Sequence, residues 1–261
     1  MDVGFIGLGN MGGAVAKAVS QAADTHLLLS NHNVAKAQVI QEVTGGELKT
    51  NQEIMAQAQV VFLGVKPHQI GNLLTDLASE LNANPNLTIV SMAAGMALED
   101  LQFFVGDHTL IRMMPNTPVG IGQGMTTYTT TDGQPSELFE NLMVHSGEVS
   151  FIPEKLMDAA TAIAGCGPAF VYQFIEALAD AGVQNGLSRQ DALNLAAKTV
   201  AGSAQMVSQT GKHPAQLRDE VTSPGGSTIA GVVALEKHGF RYAVISAINK
   251  ALKKTQKLGK K

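Results

Sequence analysis

Short apolar runs separated by helical patterns fill the first 150 residues. Each run is four to eight residues long, as expected of strands buried on both faces of a parallel sheet. The last run is rich in threonine, a residue that favours strands. The runs are Val3 to Ile6, His26 to Ser30, Val60 to Val65, Leu87 to Ser91, Leu110 to Met114 and the Thr-rich Gly124 to Thr131. Strands alternating with helices predict an α/β fold with a doubly wound sheet.

The pattern changes after Pro153, where strand signals stop and long helical ones begin. Pro168 stands at a first-turn position, Ser188 and Asp191 resemble a capping box, and a last helix is predicted over about 241–258. The stretch from Ala192 to Ala201 is apolar over more than one face, which is typical of a helix buried in a bundle or a subunit interface. We therefore predict two domains, residues 1–152 with the sheet and residues 153–261 all-α.

A glycine turn follows the first strand. Gly7, Gly9 and Gly12 form a G-x-G-x-x-G between Val3 to Ile6 and a helical pattern through Val15 and Val19. In such a strand–turn–helix setting, the first glycine allows a tight turn, the second lets the backbone approach a pyrophosphate, and the third lets helix and strand pack closely. This context predicts a dinucleotide site in a Rossmann-type domain.

The end of the second strand indicates which dinucleotide binds. NAD-dependent proteins often place Asp or Glu there to accept from the ribose 2′-hydroxyl, whereas this chain has Ser30, Asn31 and His32, with Lys36 one turn into the next helix. Neutral donors and a nearby lysine suit a 2′-phosphate, so NADPH is preferred, although neutral residues also permit NADH. Alternatively, Ser30 and Asn31 cap the following helix. Asn51 either caps its own helix or reaches the cofactor.

Composition narrows the function classes. The formal net charge is −4, which argues against a nucleic-acid partner, and charged residues make up 15%, a low share that suggests buried surface between subunits. One cysteine, Cys166, fits a reducing cytoplasm, and the seven histidines show no ligand spacing, so no metal is expected. No leader pattern precedes the first strand and no uninterrupted apolar run reaches about 18 residues, so we expect a soluble, cytoplasmic protein without a membrane partner.

The segment from Pro214 to Thr228 carries the most specific chemistry. Two glycines and several hydroxyl residues form a turn that opens a helix, and the backbone N–H groups of Gly225 to Thr228 are predicted to be free to grip a carboxylate. Ser223, Ser227 and Thr228 add hydroxyl groups. The alternative is an ordinary helix-to-helix turn with a Ser or Thr cap.

Together these segments resemble the pyrroline-5-carboxylate reductase family over the whole length of the chain. The motifs are the glycine turn, Val65-Lys66-Pro67, Arg112-Met113-Met114-Pro115-Asn116-Thr117-Pro118, Gly165-Cys166-Gly167-Pro168-Ala169-Phe170 and Val221 to Gly231. The last is the most specific, because the glycine turn is shared with every Rossmann enzyme. The resemblance implies NADPH-dependent reduction of 1-pyrroline-5-carboxylate to L-proline, the last step of proline biosynthesis.

The resemblance also implies residue roles. The cofactor would be bound by Ile6, Gly7, Leu8, Gly9, Asn10, Met11, Ser30, Asn31, Asn51, Val65, Lys66, Pro67, Ala93 and Ala94. The substrate carboxylate would be held by Ser223, Gly225, Gly226, Ser227 and Thr228 of the neighbouring subunit, and Thr228, near the ring nitrogen, is the catalytic candidate. Family members usually have Ser at the position of Cys166, which we interpret as a packing variation.

The family implies a homodimer paired through its helical domain and assembled further into rings such as decamers. Two rival functions are a different NADP-dependent reductase, acting on a 3-hydroxy acid or a general imine, and a non-catalytic NADP-binding sensor. A reductase acting on a 3-hydroxy acid is disfavoured because no lysine lies at the middle of the Ala159 to Ala181 segment, and a sensor is disfavoured because the chain has both the nucleotide turn and the carboxylate turn. Arg112 and Asn116 stay open between structural and catalytic roles: Arg112 can pair with a carboxylate in its domain, and Asn116 can bond local backbone.

Overall fold

The strands are β1 (Asp2–Ile6), β2 (His26–Ser30), β3 (Glu47–Leu48), β4 (Val60–Leu63), β5 (Thr88–Ser91), β6 (Leu110–Met114), β7 (Gly124–Thr130) and β8 (Gly147–Phe151). The parallel pairing of β1 with β2 and with β4 organises the sheet, since the chain order reverses between these neighbours. In the computed structural model, which describes residues 1–258, eight strands form one sheet in the order β3-β2-β1-β4-β5-β6-β7-β8. The pairs from β3 to β6 are parallel, β7 is antiparallel to β6, and β8 is parallel to β7.

The doubly wound sheet predicted from the sequence is confirmed. Successive side chains of a strand face opposite sides, so Phe5 and Phe62 stack at 4.7 Å in the core on one face, while Ile6 and Leu63 belong to the core on the other. The helices in the sheet domain are α1 (Asn10–Val19), α2 (Val34–Thr44), α3 (Asn51–Gln57), α4 (Pro67–Asp76), α5 (Ala78–Ala83), α6 (Leu98–Val105) and α7 (Glu137–Leu142). Helices α1, α2 and α7 cover the first face, and α3 to α6 cover the second.

The remainder of the described chain is helical, as the sequence predicts. A short α8 (Met157–Ala160) leads into a π-helical stretch (Thr161–Gly165). The later helices are α9 (Gly167–Gln184), α10 (Arg189–Thr210), α11 (Pro214–Glu220), α12 (Ser227–Lys237) and α13 (Phe240–Leu258). Ser188 caps α10 by accepting from the N–H of Asp191 at 3.1 Å, as the capping-box pattern indicates.

Two compact units divide the chain at Pro168. The first is Met1–Pro168 with the C-terminal residues from Lys250, and the second is Ala169–Asn249. Residues 153–168 therefore group with the sheet, and the domain boundary at 152 and 153 stays a prediction. The second unit has a small alanine core of Ala179, Ala192 and Ala196, against which Ile175 packs.

Many large apolar side chains of the second unit are exposed in the single chain. Val171, Tyr172, Leu195, Val233 and Ile245 are each more than two fifths exposed. Within residues 1–258, one helical stretch, Glu154–Gln184, has the length and mean hydropathy (1.3) of a membrane span, and 11% of that window is buried inside the chain. The stretch is apolar on average but contains polar residues, so it has no uninterrupted apolar run of 18 residues.

Candidate active site

The glycine turn between β1 and α1 has the geometry of a phosphate cradle. Gly7 has φ +98°, a left-handed conformation that side chains disfavour. A Cβ on Gly12 would lie 2.1 Å from the Gly7 carbonyl oxygen, so helix and turn touch there, whereas a Cβ on Gly9 would meet nothing within 4 Å. The open space at Gly9 is where a phosphate group can approach the backbone.

Donors for such a phosphate come from the first turn of α1. Gly9 is the N-cap and no side chain caps the helix, while the N–H of Gly13 begins the helical ladder on the Gly9 carbonyl at 2.8 Å. The backbone N–H groups of Asn10, Met11 and Gly12 therefore have no intrahelical partner. The helix dipole is positive at this end, so the turn fits the pyrophosphate of a dinucleotide.

A cavity of about 530 Å³ opens beside this turn. It lies at the carboxyl ends of β1, β2 and β4, where the strand order reverses and nucleotides bind in open α/β sheets. Its lining is Ile6, Gly7, Gly9, Ser30, Asn31, His32, Asn51, Gly64, Val65, Lys66, Gln69 and Leu73. No carboxylate is among these twelve residues, and Lys66 adds positive charge, so the cavity suits a phosphorylated ribose.

The end of β2 is held by side-chain hydrogen bonds that the sequence left undecided. Ser30 donates from its hydroxyl to Asn51 Oδ1 at 2.6 Å, and Asn31 Oδ1 accepts from the N–H of Leu8 at 2.9 Å. The cap of α2 is Asn33. The capping alternative for Ser30 and Asn31 is therefore wrong, and both residues line the cavity instead.

The capping alternative for Asn51 is wrong as well. Thr50 is the N-cap of α3, accepting from the N–H of Glu53 at 3.2 Å, while Glu53 accepts in return from the N–H of Thr50 at 2.8 Å. The capping box leaves the Asn51 side chain to pair with Ser30 on the cavity wall.

The cavity brings together eight of the fourteen predicted cofactor residues and does not include the other six. Leu8 and Asn10 line a neighbouring cavity of about 520 Å³ together with Lys36 and Gly9. The others are Met11 and Ala94, which are half-buried, Pro67, which begins α4, and Ala93, which lies in the core. The sequence reasoning missed His32, Gly64, Gln69 and Leu73. His32 and Gly64 are next to predicted residues, and Gln69 lies in the first turn of α4, so proximity to the predicted residues could have identified these three.

The second unit holds the predicted carboxylate turn. Gly225 has φ +70° and Gly226 is the N-cap of α12, which no side chain caps. The Ser or Thr cap is therefore not formed. The N–H of Gly226 is already bonded to the Ser223 carbonyl at 3.0 Å, so the prediction that this group is free is wrong. Ser227 and Thr228, both exposed, begin the helix and present its free N–H groups.

Arg112 and Asn116 have structural partners. Arg112 Nη1 lies 2.7 Å from Glu154 Oε1 and Nη2 lies 3.1 Å from Asp158 Oδ1, as the carboxylate alternative expected. Asn116 bonds backbone as its structural alternative expected, but the partners are nine and 48 residues away: it accepts from the N–H of Met125 and donates to the carbonyl of Ala164. Within residues 1–258, no group of three or more His, Cys, Asp and Glu side chains could hold a metal ion.

Comparisons with known proteins agree with this arrangement. The family model for pyrroline-5-carboxylate reductase dimerisation matches residues 154–258, and that for NADP oxidoreductase, coenzyme F420-dependent, matches residues 2–95. The pyrroline-5-carboxylate reductase of Synechocystis is 41% identical over 268 residues, covering 100% of this chain and 99% of the relative.

Solved structures show the same similarity in three dimensions. The Plasmodium falciparum pyrroline carboxylate reductase with NADP bound has a TM-score of 0.85 and 34% identity, covering 99% of this chain and 98% of that one. The Coxiella burnetii pyrroline-5-carboxylate reductase has a TM-score of 0.90 and 30% identity, with the same coverage of each chain. The chain therefore belongs to the pyrroline-5-carboxylate reductase family, whose members are oxidoreductases.

Proposed function

We propose that the protein reduces the ring imine of 1-pyrroline-5-carboxylate to L-proline with NADPH, with the residue roles given below. The observation that carries this proposal is the uncapped start of α12, which offers free N–H groups to a carboxylate. It occurs in a chain that also has a glycine turn and an acid-free nucleotide cavity. A carboxylate-bearing substrate and a phosphorylated dinucleotide account for both features.

The sheet domain would hold the cofactor. The N–H groups at the start of α1 and the open face of Gly9 suit the pyrophosphate. The uncharged Ser30 and Asn31, the amide group of Asn51 and the nearby Lys36 suit a 2′-phosphate. When bound, NADPH supplies the hydride that the imine carbon accepts. Because residues 30 and 31 are neutral, NADH would also bind, but more weakly than NADPH.

The second unit of the neighbouring subunit would hold the substrate. The carboxylate would accept from the N–H groups of Ser227 and Thr228, with Ser223, Gly225 and Gly226 shaping the turn. The Thr228 hydroxyl would donate a hydrogen bond to the ring nitrogen. Because that hydroxyl does not ionise at neutral pH, the proton that the nitrogen gains would come from water through it. Positioning would supply most of the rate.

The protein is a homo-oligomer in this proposal. The exposed apolar side chains of α9, α10, α12 and α13 would be covered by a second copy, since a monomer rarely leaves so much apolar surface in water. A dimer paired through residues 153–261, assembled further into rings such as decamers, would bury the apolar Glu154–Gln184 stretch without a membrane. The single cysteine suits the cytoplasm.

The test of the activity is NADPH oxidation, followed by absorbance, with 1-pyrroline-5-carboxylate as substrate. A 2-keto acid and an acyclic imine serve as parallel substrates, and NADH as the parallel cofactor. We expect rapid oxidation with the cyclic imine alone. Turnover of a 2-keto acid without turnover of the cyclic imine would leave the fold intact and reject the proposed substrate, and NADPH binding without turnover would favour the sensor function.

A further inference from the structure

The segment from Glu154 to Pro168, here called the joint segment, links the sheet to α9 and is tied to the sheet at two points. At the first, Arg112 on β6, only 6% exposed, pairs with Glu154 and Asp158. A buried guanidinium without these carboxylates would be strongly unfavourable, so the pairing fixes where the segment starts.

Glu154 extends this first tie to a loop that carries two of the predicted cofactor residues. Its Oε1 atom accepts from Arg112 and also from the N–H of Leu98 at 3.1 Å. Leu98 begins α6, directly after the loop that carries Ala93 and Ala94. One carboxylate oxygen therefore joins the joint segment, the sheet and this loop.

The second tie is made by Asn116, which is 8% exposed. In an α-helix the carbonyl of Ala164 would accept from the N–H four residues on, but that residue is Pro168, which has none. The backbone becomes π-helical over Thr161–Gly165, and Asn116 Nδ2 donates to the Ala164 carbonyl at 3.0 Å. Asn116 Oδ1 accepts from the N–H of Met125 at 2.9 Å, so the amide is held from both sides.

We propose that Arg112 and Asn116 are positioning residues for hydride transfer, acting by holding the joint segment on the sheet. The segment continues into α9 and so into the helical unit, which is proposed to pair with a second copy that brings its own Thr228 to the substrate, while the sheet carries the cofactor cavity. Rates of transfer depend steeply on the placement of the reacting groups, whereas cofactor affinity depends on the cavity alone. This inference rests on the proposed function.

Asn116→Ala tests the proposal, with Asn84→Ala as a matched control. Asn84 is half-buried and its amide likewise bonds distant backbone, the carbonyls of Met55 and Ala58 at 3.0 and 2.9 Å, but it lies away from the joint segment. We expect Asn116→Ala to lower kcat by about tenfold or more with the NADPH Kd within about twofold, and Asn84→Ala to leave kcat within about twofold at a comparable loss of Tm.

Hydrogen–deuterium exchange of the peptide 160–168 gives a readout that needs neither cofactor nor turnover. Asn116→Ala should speed its exchange and Asn84→Ala should not. A second substitution, Pro168→Ala, restores an N–H group that can bond the Ala164 carbonyl. In the Pro168→Ala background, the loss of kcat caused by Asn116→Ala should therefore be several-fold smaller than in the wild type. If Asn116→Ala cannot be purified, Arg112→Lys is the alternative. It keeps the positive charge but has one ammonium group in place of the two guanidinium nitrogens that reach Glu154 and Asp158, so it should lower kcat by a smaller factor.

Two results would overturn the proposal: faster exchange of the peptide with unchanged kcat, or equal loss of kcat in the Asn84→Ala control. Failure of the wild-type enzyme to reduce the cyclic imine would instead reject the proposed function. In that case the exchange result would still show whether Asn116 holds the joint segment on the sheet, but it would say nothing about hydride transfer.

Discussion

The hydroxyl of Ser30 donates to the side-chain oxygen of Asn51 at 2.6 Å, joining the end of β2 to the start of α3 across the wall of the cofactor cavity. Because its proton is used in this bond, the Ser30 oxygen is left as an acceptor, and the Asn51 amide group becomes the donor on that wall. A neutral pair thus stands where NAD-dependent proteins often place a carboxylate.

Ser30→Asp should reverse the cofactor preference. A carboxylate at this position would repel a 2′-phosphate and accept from the 2′-hydroxyl of NADH. We expect the NADPH KM to rise by about tenfold or more and the NADH KM to fall, as measured by steady-state kinetics. Ser30→Ala breaks the bond to Asn51 without adding charge, so it should keep the preference for NADPH; loss of preference in Ser30→Ala would assign the selectivity to the hydrogen bond.

Gly9→Ala and Gly12→Ala should fail in different ways. A methyl group on Gly9 meets no protein atom, and its φ of −67° suits alanine, so stability should stay within about 0.5 kcal/mol while NADPH affinity falls by tenfold or more. A methyl group on Gly12 would lie 2.1 Å from the Gly7 oxygen, costing about 1–3 kcal/mol or more. Urea unfolding and NADPH titration separate the two; equal NADPH affinity in Gly9→Ala and wild type would contradict the cradle.

The sheet and the glycine turn could be predicted because they depend on local pattern. Strand β2 at His26–Ser30 and strand β6 at Leu110–Met114 were predicted to the residue, since buried strands show as apolar runs bounded by polar or turn residues. Strand β4 was predicted two residues too long, because Gly64 and Val65 belong to the turn that lines the cavity.

Side-chain partners were harder to predict, because they depend on which neighbouring groups are free. Thr50 and Asn33 cap their helices, whereas Asn51 and Asn31, one and two residues away, were equally good caps by residue type. The N–H of Gly226 was predicted free, but the left-handed Gly225 turns the chain so that this group reaches the Ser223 carbonyl. Such choices are made by backbone geometry that residue identity does not reveal.

Two charges on the exposed helical surface should separate the subunits. Val233 and Ile245 are 59% and 56% exposed in the single chain, and Val233→Glu with Ile245→Glu would place carboxylates in an apolar interface. We expect analytical ultracentrifugation to give a multiple of the 27.3 kDa chain mass for the wild type and 27.3 kDa for the double variant. Val39→Glu, at a 55% exposed position on α2, is the control and should keep the wild-type mass.

Tyr128 should make the fold sensitive to alkali. Burial, with help from the hydrogen bond to Glu140, raises the pKa of its hydroxyl from 10.0 to about 12. A pKa raised by folding adds stability that is fully present below pH 10 and is lost as pH rises toward 12. Between pH 9 and pH 11 the wild type should lose about 1 kcal/mol more unfolding free energy than Tyr128→Phe. Urea unfolding at pH 9 and pH 11 measures this difference. If the wild type and Tyr128→Phe lost the same unfolding free energy between these pH values, another group would be responsible.

Thr228→Ala should separate chemistry from cofactor binding. Thr228 stands in the first turn of α12, and its hydroxyl is proposed to donate to the ring nitrogen, where positive charge is lost or a proton is gained as the imine is reduced. Removing one such donor costs about 100-fold in kcat, while the NADPH Kd, set in the sheet domain, should stay within about twofold. Thr228→Ser keeps a hydroxyl and should recover most of the rate.

Thr222→Ala controls for damage to the turn. Its hydroxyl donates to the Arg218 carbonyl at 3.0 Å, so its loss loosens the same segment without removing a group proposed to touch substrate. Steady-state kinetics should give a kcat within a few-fold of wild type for Thr222→Ala. If Thr228→Ala kept full turnover, the hydroxyl of Thr228 would have no part in protonating the nitrogen, and the turn would act through its backbone N–H groups alone. If kcat of Thr222→Ala fell as far as that of Thr228→Ala, the loss would be assigned to loosening of the turn instead of to the hydroxyl.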